Sequence, residues 1–418
     1  VFPSRRLDLR ADPLELVLPL AAEPGAFLSF DGARATFGCR PLAASSDLDP
    51  EPELALGAHT SSAPRWFGLL PYEAFRGGER EWARDRRAAP LVENVLWQRY
   101  GAVAVFEDGA VRLEGDDLRS LNELEDLLRC AATEPQRPGE ARLDLEDPEP
   151  AEHHERRIRR ALDHIERGNL YQVNLARRFD FRVQGDAFAV LAALGPAGRA
   201  RFASAGCFQG LSWVCASPEL FLELTPAGQV VTSPIKGTRP RGATAGEDER
   251  LRLELDANPK ERAELAMVID VERNDLGRVA APGSVRLTEA PHVVTHATVH
   301  HREATVTAQL RAGVARRELL EATLPSGSVT GAPKLRAMEL IAEYEAERRG
   351  LYTGALGALG HDGSLRLSMA IRTLVFRNGR GHYFSGGGIV ADSDPAAEVA
   401  ETLWKARQLA ALATAFRR

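Results

Sequence analysis

Four cysteines in 418 residues, none of them spaced as CxxC, leave no framework for a zinc site or a disulfide scaffold. Cys39, Cys130, Cys207 and Cys215 read as reduced, mostly buried thiols. No apolar run approaches the length of about 18 residues that a membrane-spanning helix needs, so no membrane segment is expected. There is no excess of basic residues either. Lys plus Arg number 53 against 59 Asp plus Glu, a formal net charge of -6. That balance gives no global positive field for nucleic acid or an anionic membrane. The first residue is Val1, and no charged-then-apolar leader precedes Asp8, which points to a cytoplasmic protein. No repeat of fixed period is visible. What is present is ordinary globular material, 44% hydrophobic and 27% charged, ample for a large core.

The chain divides into three stretches. Residues 1–130 read as short strands and turns with a few helices. Residues 131–150, rich in Pro, Glu and Arg, read as a linker. Residues 151–418 carry the stronger patterns. A helix is expected over 152–167, stopped by Gly168-Asn169. Strands are expected over 171–181, 208–214, 220–224 and 230–232, then one long charged helix over 247–274. A β-branched stretch covers 292–306, and helices cover 314–323 and 333–349. Strands return over 354–359, 365–376 and 381–385 before a closing helix over 395–416. Strands do not alternate strictly with helices, so the fold class is α+β.

Two ExxE pairs stand on separate predicted helices: Glu261 with Glu264, and Glu398 with Glu401. A spacing of three puts both carboxylates of a pair on one helix face. Two such faces opposed would offer oxygen ligands to a hard cation such as Mg²⁺. The plain alternative is solvated helix surface, where most carboxylates lie. Lys236 lies in SPIKGTRP, between a strand end and a glycine turn. Held in a cleft, its amine can act as a nucleophile; on an open turn it is an ordinary lysine. Gly386, Gly387 and Gly388 follow a strand and allow close approach to a ligand, with N–H groups that could bind a carboxylate. The segment PSGSVTGAPK from Pro325 does not fit a phosphate loop, and Gly354, Gly357 and Gly360 do not fit the dinucleotide fingerprint. His292, His296, His300 and His301 lie in a strand-like run without HExxH. Residues four apart on a strand sit about 13 Å apart, which speaks against zinc and for a single functional histidine.

Taken together, these segments resemble the chorismate-utilising enzymes, among them anthranilate synthase component I, aminodeoxychorismate synthase component I, isochorismate synthase and salicylate synthase. The matching stretches include YQVNLARRF from Tyr171, SPELFLEL from Ser217, SPIKGTRPRG from Ser233 and ERAELAMVIDVERNDLGRV from Glu261. LPSGSVTGAPKLRAMELI from Leu324, YTGALG from Tyr352, SMAIRTL from Ser368 and GGGIVADSDPAAEVAETLWKA from Gly386 continue them in family order. The N-terminal third matches only loosely, as in PRWFGLLPYEAF.

The resemblance implies a single large unit of two packed, mainly antiparallel sheets, with helices around them and a buried cleft. It implies Mg²⁺ as cofactor, with Glu264 and Glu401 as ligands and Glu261 and Glu398 holding bound waters. Gly237, Thr238, Tyr352, Arg372 and the backbone of Gly386, Gly387 and Gly388 would bind the substrate, chorismate. His296 would sit beside the C4 hydroxyl, and Glu219 would act as general acid or base. Isochorismate and salicylate synthases carry a lysine where this chain has Gln172, which cannot activate water. Anthranilate synthases usually read PIAGT where this chain reads PIKGT, and that lysine marks the aminodeoxychorismate branch. The implied reaction is replacement of the C4 hydroxyl of chorismate by an amino group, with Lys236 as nucleophile. No cysteine sits in a glutaminase-type turn, so ammonia is expected from solution or from a separate glutamine amidotransferase subunit. Neither a lyase step nor a tryptophan site is expected: no further domain follows Arg418, and ARFASAG from Ala200 lacks the Pro-x-Pro of that pocket. The rival readings are anthranilate synthase component I, then isochorismate synthase or a non-catalytic chorismate-binding protein.

Overall fold

The computed structural model describes residues 2–59, 61–74, 87–133, 140–146, 148–296 and 299–415. Among them, two large antiparallel sheets carry the fold. The larger has twelve strands. Across it run Ser4–Leu7, Ala110–Gly115, Ala102–Glu107, Arg34–Gly38, Phe27–Asp31, Phe202–Phe208, Leu211–Ser217, Thr373–Arg377, Arg380–Ile389, Gln172–Gln184 and Gly331–Ala332, with Arg142–Leu145 also pairing on Gln172–Gln184. The smaller has ten. Its order is Ile235–Pro240, Val299–Gln309, Gln229–Ser233, Leu220–Leu224, Leu365–Met369, Ala355–Gly360, Pro64–Leu70, Leu96–Arg99 and Ala43–Ser45, with Arg286–Thr295 pairing on Val299–Gln309.

The sheets meet through large aromatic side chains. Phe67 of the smaller sheet stacks on Phe27 of the larger, with centroids 4.3 Å apart and planes 20° apart, and lies near-parallel to Trp213 at 6.1 Å. All three are fully buried, and each such side chain contributes on the order of 2–3 kcal/mol by leaving water. Helices cover the outer faces. Val173 and Leu175 of the larger sheet pack under Ile158 of Ala151–Glu166 and Leu340 of Lys334–Tyr344. Phe221 and Val306 of the smaller sheet pack under Leu265 and Ile269 of Pro259–Gly277.

Residues before 131 supply strands to both sheets: Phe27–Asp31 pairs with Phe202–Phe208, and Pro64–Leu70 with Ala355–Gly360. Within 131–150, the helix Leu118–Thr133 ends and Arg142–Leu145 forms a strand.

Several expected elements divide in two. The long charged helix is Ala245–Ala257 followed by Pro259–Gly277. Asn258 leaves the helical region and its side chain accepts from the Glu261 N–H at 3.1 Å, with Pro259 at the first helical position. The strand expected over 365–376 is two strands in different sheets, Leu365–Met369 and Thr373–Arg377. The chain passes from one sheet to the other through Ala370, Ile371 and Arg372, the last at φ +51°. The run over 292–306 belongs to the paired strands Arg286–Thr295 and Val299–Gln309. The helix expected over 333–349 ends at Tyr344.

Candidate active site

Where the smaller sheet meets the loop after the Arg316–Thr323 helix, Glu219, Lys236 and Ser328 come together. Glu219 immediately precedes the strand Leu220–Leu224, and Lys236 is second in the strand Ile235–Pro240. The Ser328 hydroxyl donates to Glu219 Oε1 at 2.7 Å, and the Ser328 carbonyl accepts from Lys236 Nζ at 2.8 Å. Glu219 is 5% exposed. Burial pushes its carboxyl up to about 7; the Ser328 hydrogen bond and the Lys236 charge oppose this, and the Glu272 charge adds to it. A carboxyl poised there can give or take a proton at neutral pH.

Gly237 follows at φ +90°, and a Cβ there would lie 2.8 Å from Glu261 Oε2. Thr238 Oγ1 lies 2.9 Å from His301 Nδ1. His301 is buried, and burial and the Arg372 charge bring its pKa down to about 3, so its ring is neutral. The His296 ring centroid is 5.4 Å from that of His301. His296 Nε2 is buried with no hydrogen-bond partner among the described residues, and burial lowers its pKa against the pull of Glu303. The four histidines do not converge: His300 binds Asp248 at 3.0 Å, and His292 is exposed.

Arg372, at the crossover between sheets, reaches solvent at its surface, while desolvation of its guanidinium among protein groups lowers its pKa. The charges of Tyr383 and Glu219 act against that lowering. Tyr352 is buried and stacks on Phe384, with centroids 5.3 Å apart and planes 12° apart. Gly386, Gly387 and Gly388 lie inside the strand Arg380–Ile389, opposite Ala176, Leu175 and Asn174. Successive N–H groups of a strand point to opposite sides, so the three do not form a nest. The neighbour Thr373–Arg377 pairs only as far as Tyr383, which leaves that edge of the glycine run without strand pairing among the described residues, with Lys405 Nζ donating to the Gly386 carbonyl at 3.1 Å. Gln172 is buried, and a Cβ on Gly388 would lie 2.1 Å from Gln172 Nε2. A side chain there would have to displace the Gln172 amide.

Of the two ExxE pairs, Glu264 and Glu398 lie near enough for the Glu398 charge to act on Glu264. Burial raises the carboxyl of each; for Glu264 the charges of Glu261 and Glu398 add to the rise, and for Glu398 that of Glu401 does. Lys260 opposes the rise at both. Glu398 Oε1 accepts from Ser393 at 2.8 Å, and its Oε2 lies 3.0 Å from where a Cβ on Gly387 would be. Glu401 is exposed and paired with Lys405 at 2.7 Å, while Glu261 meets Arg239 at 3.5 Å. Among the described residues, no three His, Cys, Asp or Glu side chains are gathered as a ligand set. The oxygen-only chemistry and the mutual repulsion of these carboxylates still suit a hard divalent cation.

Residues that sequence reasoning passed over complete the wall. Ser326 and Ser328 lie in PSGSVTGAPK, a segment to which the sequence assigns no site residue beyond its family match. Glu272 and Asp275 are buried inside a helix read only for its first turns, and Lys334 pairs with Asp275 at 2.7 Å. A separate cavity of about 230 Å³ between the sheets, lined in part by Asp31, Arg34, Glu223 and Arg366, contains none of the predicted site residues.

The family described as chorismate binding enzyme matches residues 29–411. Anthranilate synthase component 1 of Streptomyces coelicolor is 44% identical over 265 residues, 63% of this chain and 51% of that protein. Aminodeoxychorismate synthase component 1 of Klebsiella aerogenes is 43% identical over 253 residues, 60% of this chain and 56% of that protein. The chain thus spans about half the length of the curated relatives it matches. The crystal structure of anthranilate synthase component I from Streptococcus pneumoniae superposes with a TM-score of 0.75 at 26% identity, covering 93% of this chain and 91% of that one. The menaquinone-specific isochorismate synthase of Escherichia coli shares the fold, with a TM-score of 0.77 at 17% identity, covering 99% of this chain and 95% of that one.

Proposed function

We propose that this chain, which belongs to the chorismate-binding enzyme family, aminates chorismate at C4 to give 4-amino-4-deoxychorismate. The observation that carries this reading is the side chain of Lys236, set beside the acid–base carboxyl of Glu219 and anchored on Ser328. Glu219, as carboxylate, takes a proton from the Lys236 ammonium, and the freed amine attacks C2 of the ring. The ring diene moves over by one place, the C4–O bond breaks, and Glu219 supplies the proton with which hydroxide leaves as water. Ammonia then attacks C4, the diene moves back, the C2–N bond breaks, and the lysine leaves as the proton lost by the incoming nitrogen returns to Glu219. Atoms balance as chorismate plus ammonia giving product plus water.

Arg372 and Thr238 suit the substrate's carboxylates, and the edge of Gly386–Gly388 without strand pairing allows a ring to approach backbone. His296, with its uncommitted buried nitrogen, suits the C4 hydroxyl, and Tyr352 stacked on Phe384 would wall the enolpyruvyl arm. Mg²⁺ is the cofactor we assign. Glu264 and Glu398 would hold it, with Glu261 and Glu401 joining on exchanging their present partners Arg239 and Lys405. When bound, the ion neutralises a substrate carboxylate.

Ammonia is assigned to a separate glutamine amidotransferase subunit. Burial pushes the thiols of Cys39 and Cys215 up to about 12 and 11, which disfavours their thiolates, and neither the exposed Cys130 nor the half-buried Cys207 stands in a glutaminase-type turn. The second reading, anthranilate synthase component I, is favoured by relatives of that name at 44% and 40% identity, comparable to the 43% and 41% of the aminodeoxychorismate synthases. Product analysis after incubation with chorismate, Mg²⁺ and an ammonium salt separates the two. 4-Amino-4-deoxychorismate is the expected product; anthranilate would transfer the chain to the rival branch.

A further inference from the structure

Behind Glu219 lies a second buried carboxyl, Glu272, and two serine hydroxyls fill the space between them. Ser328 Oγ is 2.7 Å from Glu219 Oε1, Ser326 Oγ is 3.1 Å from Ser328 Oγ, and Glu272 Oε1 is 2.6 Å from Ser326 Oγ. The four residues are 5, 3, 2 and 1% exposed in the order Glu219, Ser328, Ser326, Glu272, so protein encloses the whole line. The line is held in place: the Gly327 N–H donates to Glu272 Oε1 at 3.0 Å, and the Ser328 N–H donates to Ser326 Oγ at 3.1 Å.

We propose that Glu272 is the proton reserve of Glu219, joined to it through the hydroxyls of Ser326 and Ser328. This rests on the acid–base role given to Glu219 above. When Glu219 gives up its proton, Ser328 passes its hydroxyl proton to Glu219, Ser326 passes one to Ser328, and Glu272 passes one to Ser326. Three O–H bonds break and three form, and the net change is one proton moved from Glu272 to Glu219. Each hydroxyl both donates and accepts, and rotation about its C–O bond resets the line. In the second half of the reaction Glu219 takes up a proton, and the line runs backwards. Glu272 is therefore a positioning residue that acts through Glu219 and does not touch substrate.

The surroundings suit the role. Burial raises both carboxyls, so a proton is held at either end near neutral pH. The charged groups around the line are Asp275 and Lys334 near Glu272, and Lys236 and Arg372 near Glu219. An ordinary structural glutamate has no need of protonation, and a glutamine of the same shape would keep the contacts of Ser326 and Gly327.

The test follows chorismate consumption with Mg²⁺ and ammonium, which reads either product branch, across pH in Glu219→Gln, Glu272→Gln, Glu272→Asp and Ser326→Ala. Glu272→Gln is expected to lower kcat by ~10-fold or more, leave KM for chorismate unchanged, and displace the acid–base limb near neutrality. Glu272→Asp restores part of the rate. Ser326→Ala, which leaves both carboxyls in place, gives the same loss and decides the matter should Glu272→Gln fail to fold. Unchanged kcat and pH profile in folded Glu272→Gln or Ser326→Ala, with Glu219→Gln inactive, overturns the relay alone. Full activity of Glu219→Gln overturns the role of Glu219 and the relay with it.

Discussion

Lys236 Nζ donates to the carbonyl of Ser328 at 2.8 Å, while the hydroxyl of the same serine holds Glu219. One residue thus fixes the distance between a nucleophile and its acid–base partner. If Lys236 forms a bond to C2, Lys236→Ala abolishes amination yet retains chorismate binding, because Gly237 and Thr238 are untouched. Intact-protein mass spectrometry with chorismate and Mg²⁺ but no ammonia shows an adduct on the wild type only. Absence of that adduct, with anthranilate as product, removes the role from Lys236.

The raised carboxyl of Glu219 has a consequence for stability. Its folded pKa of about 7 exceeds the unfolded value near 4.3, so the folded state binds the proton more tightly. Stability therefore falls as pH rises from about 4.3 to about 7, by roughly 4 kcal/mol from this group. Glu219→Gln is expected to flatten that part of the curve. Thermal melts of both proteins between pH 5 and pH 8 check it; parallel curves refute it.

For the metal, Glu264→Gln and Glu401→Gln are each expected to abolish turnover, since a divalent ion loses a charged ligand. Mg²⁺ should raise the Tm of the wild type and not that of Glu264→Gln. Turnover that persists in a chelator without added Mg²⁺ rules the assignment out.

Beside the serine loop, Arg349 and Glu345 pair at 2.6 Å with side chains 1 and 2% exposed. Arg349 also donates to the carbonyls of Asn174 and Val329, and Glu345 accepts from the Ala176 N–H. The pair ties the glycine-strand partner to the serine loop. Arg349→Met leaves a buried carboxylate without its cation and is expected to cost about 3–5 kcal/mol. Arg349→Met combined with Glu345→Gln should recover part of that. A Tm equal to wild type in the single variant contradicts the prediction.

Much of the local structure was legible. The strand Leu220–Leu224 agrees to the residue, and the helices Ala151–Glu166 and Pro395–Ala415 agree to within one, because apolar period and caps are local signals. Asn258-Pro259 is a cap and first-turn pair in plain view, yet the charged run continues through it and hid the break. The division of 365–376 left no trace, since both halves are apolar and strand-like; only the destination of each half in a different sheet separates them.

The sequence by itself determined the family and the α+β class, and it singled out Glu219, Lys236, the two ExxE pairs and the glycines as site candidates, because those residues stand in ordered motifs. Tertiary structure decided who meets whom. Glu219 and Ser328 are 109 positions apart, and Glu272 and Ser326 are 54 apart. A hydrogen bond between such residues has no period and no spacing in the chain. It exists only when a strand of one sheet, a helix above it and a loop between them close on one another and shut water out. The same closure raises Glu219 to about 7, which a glutamate in the chain alone does not show.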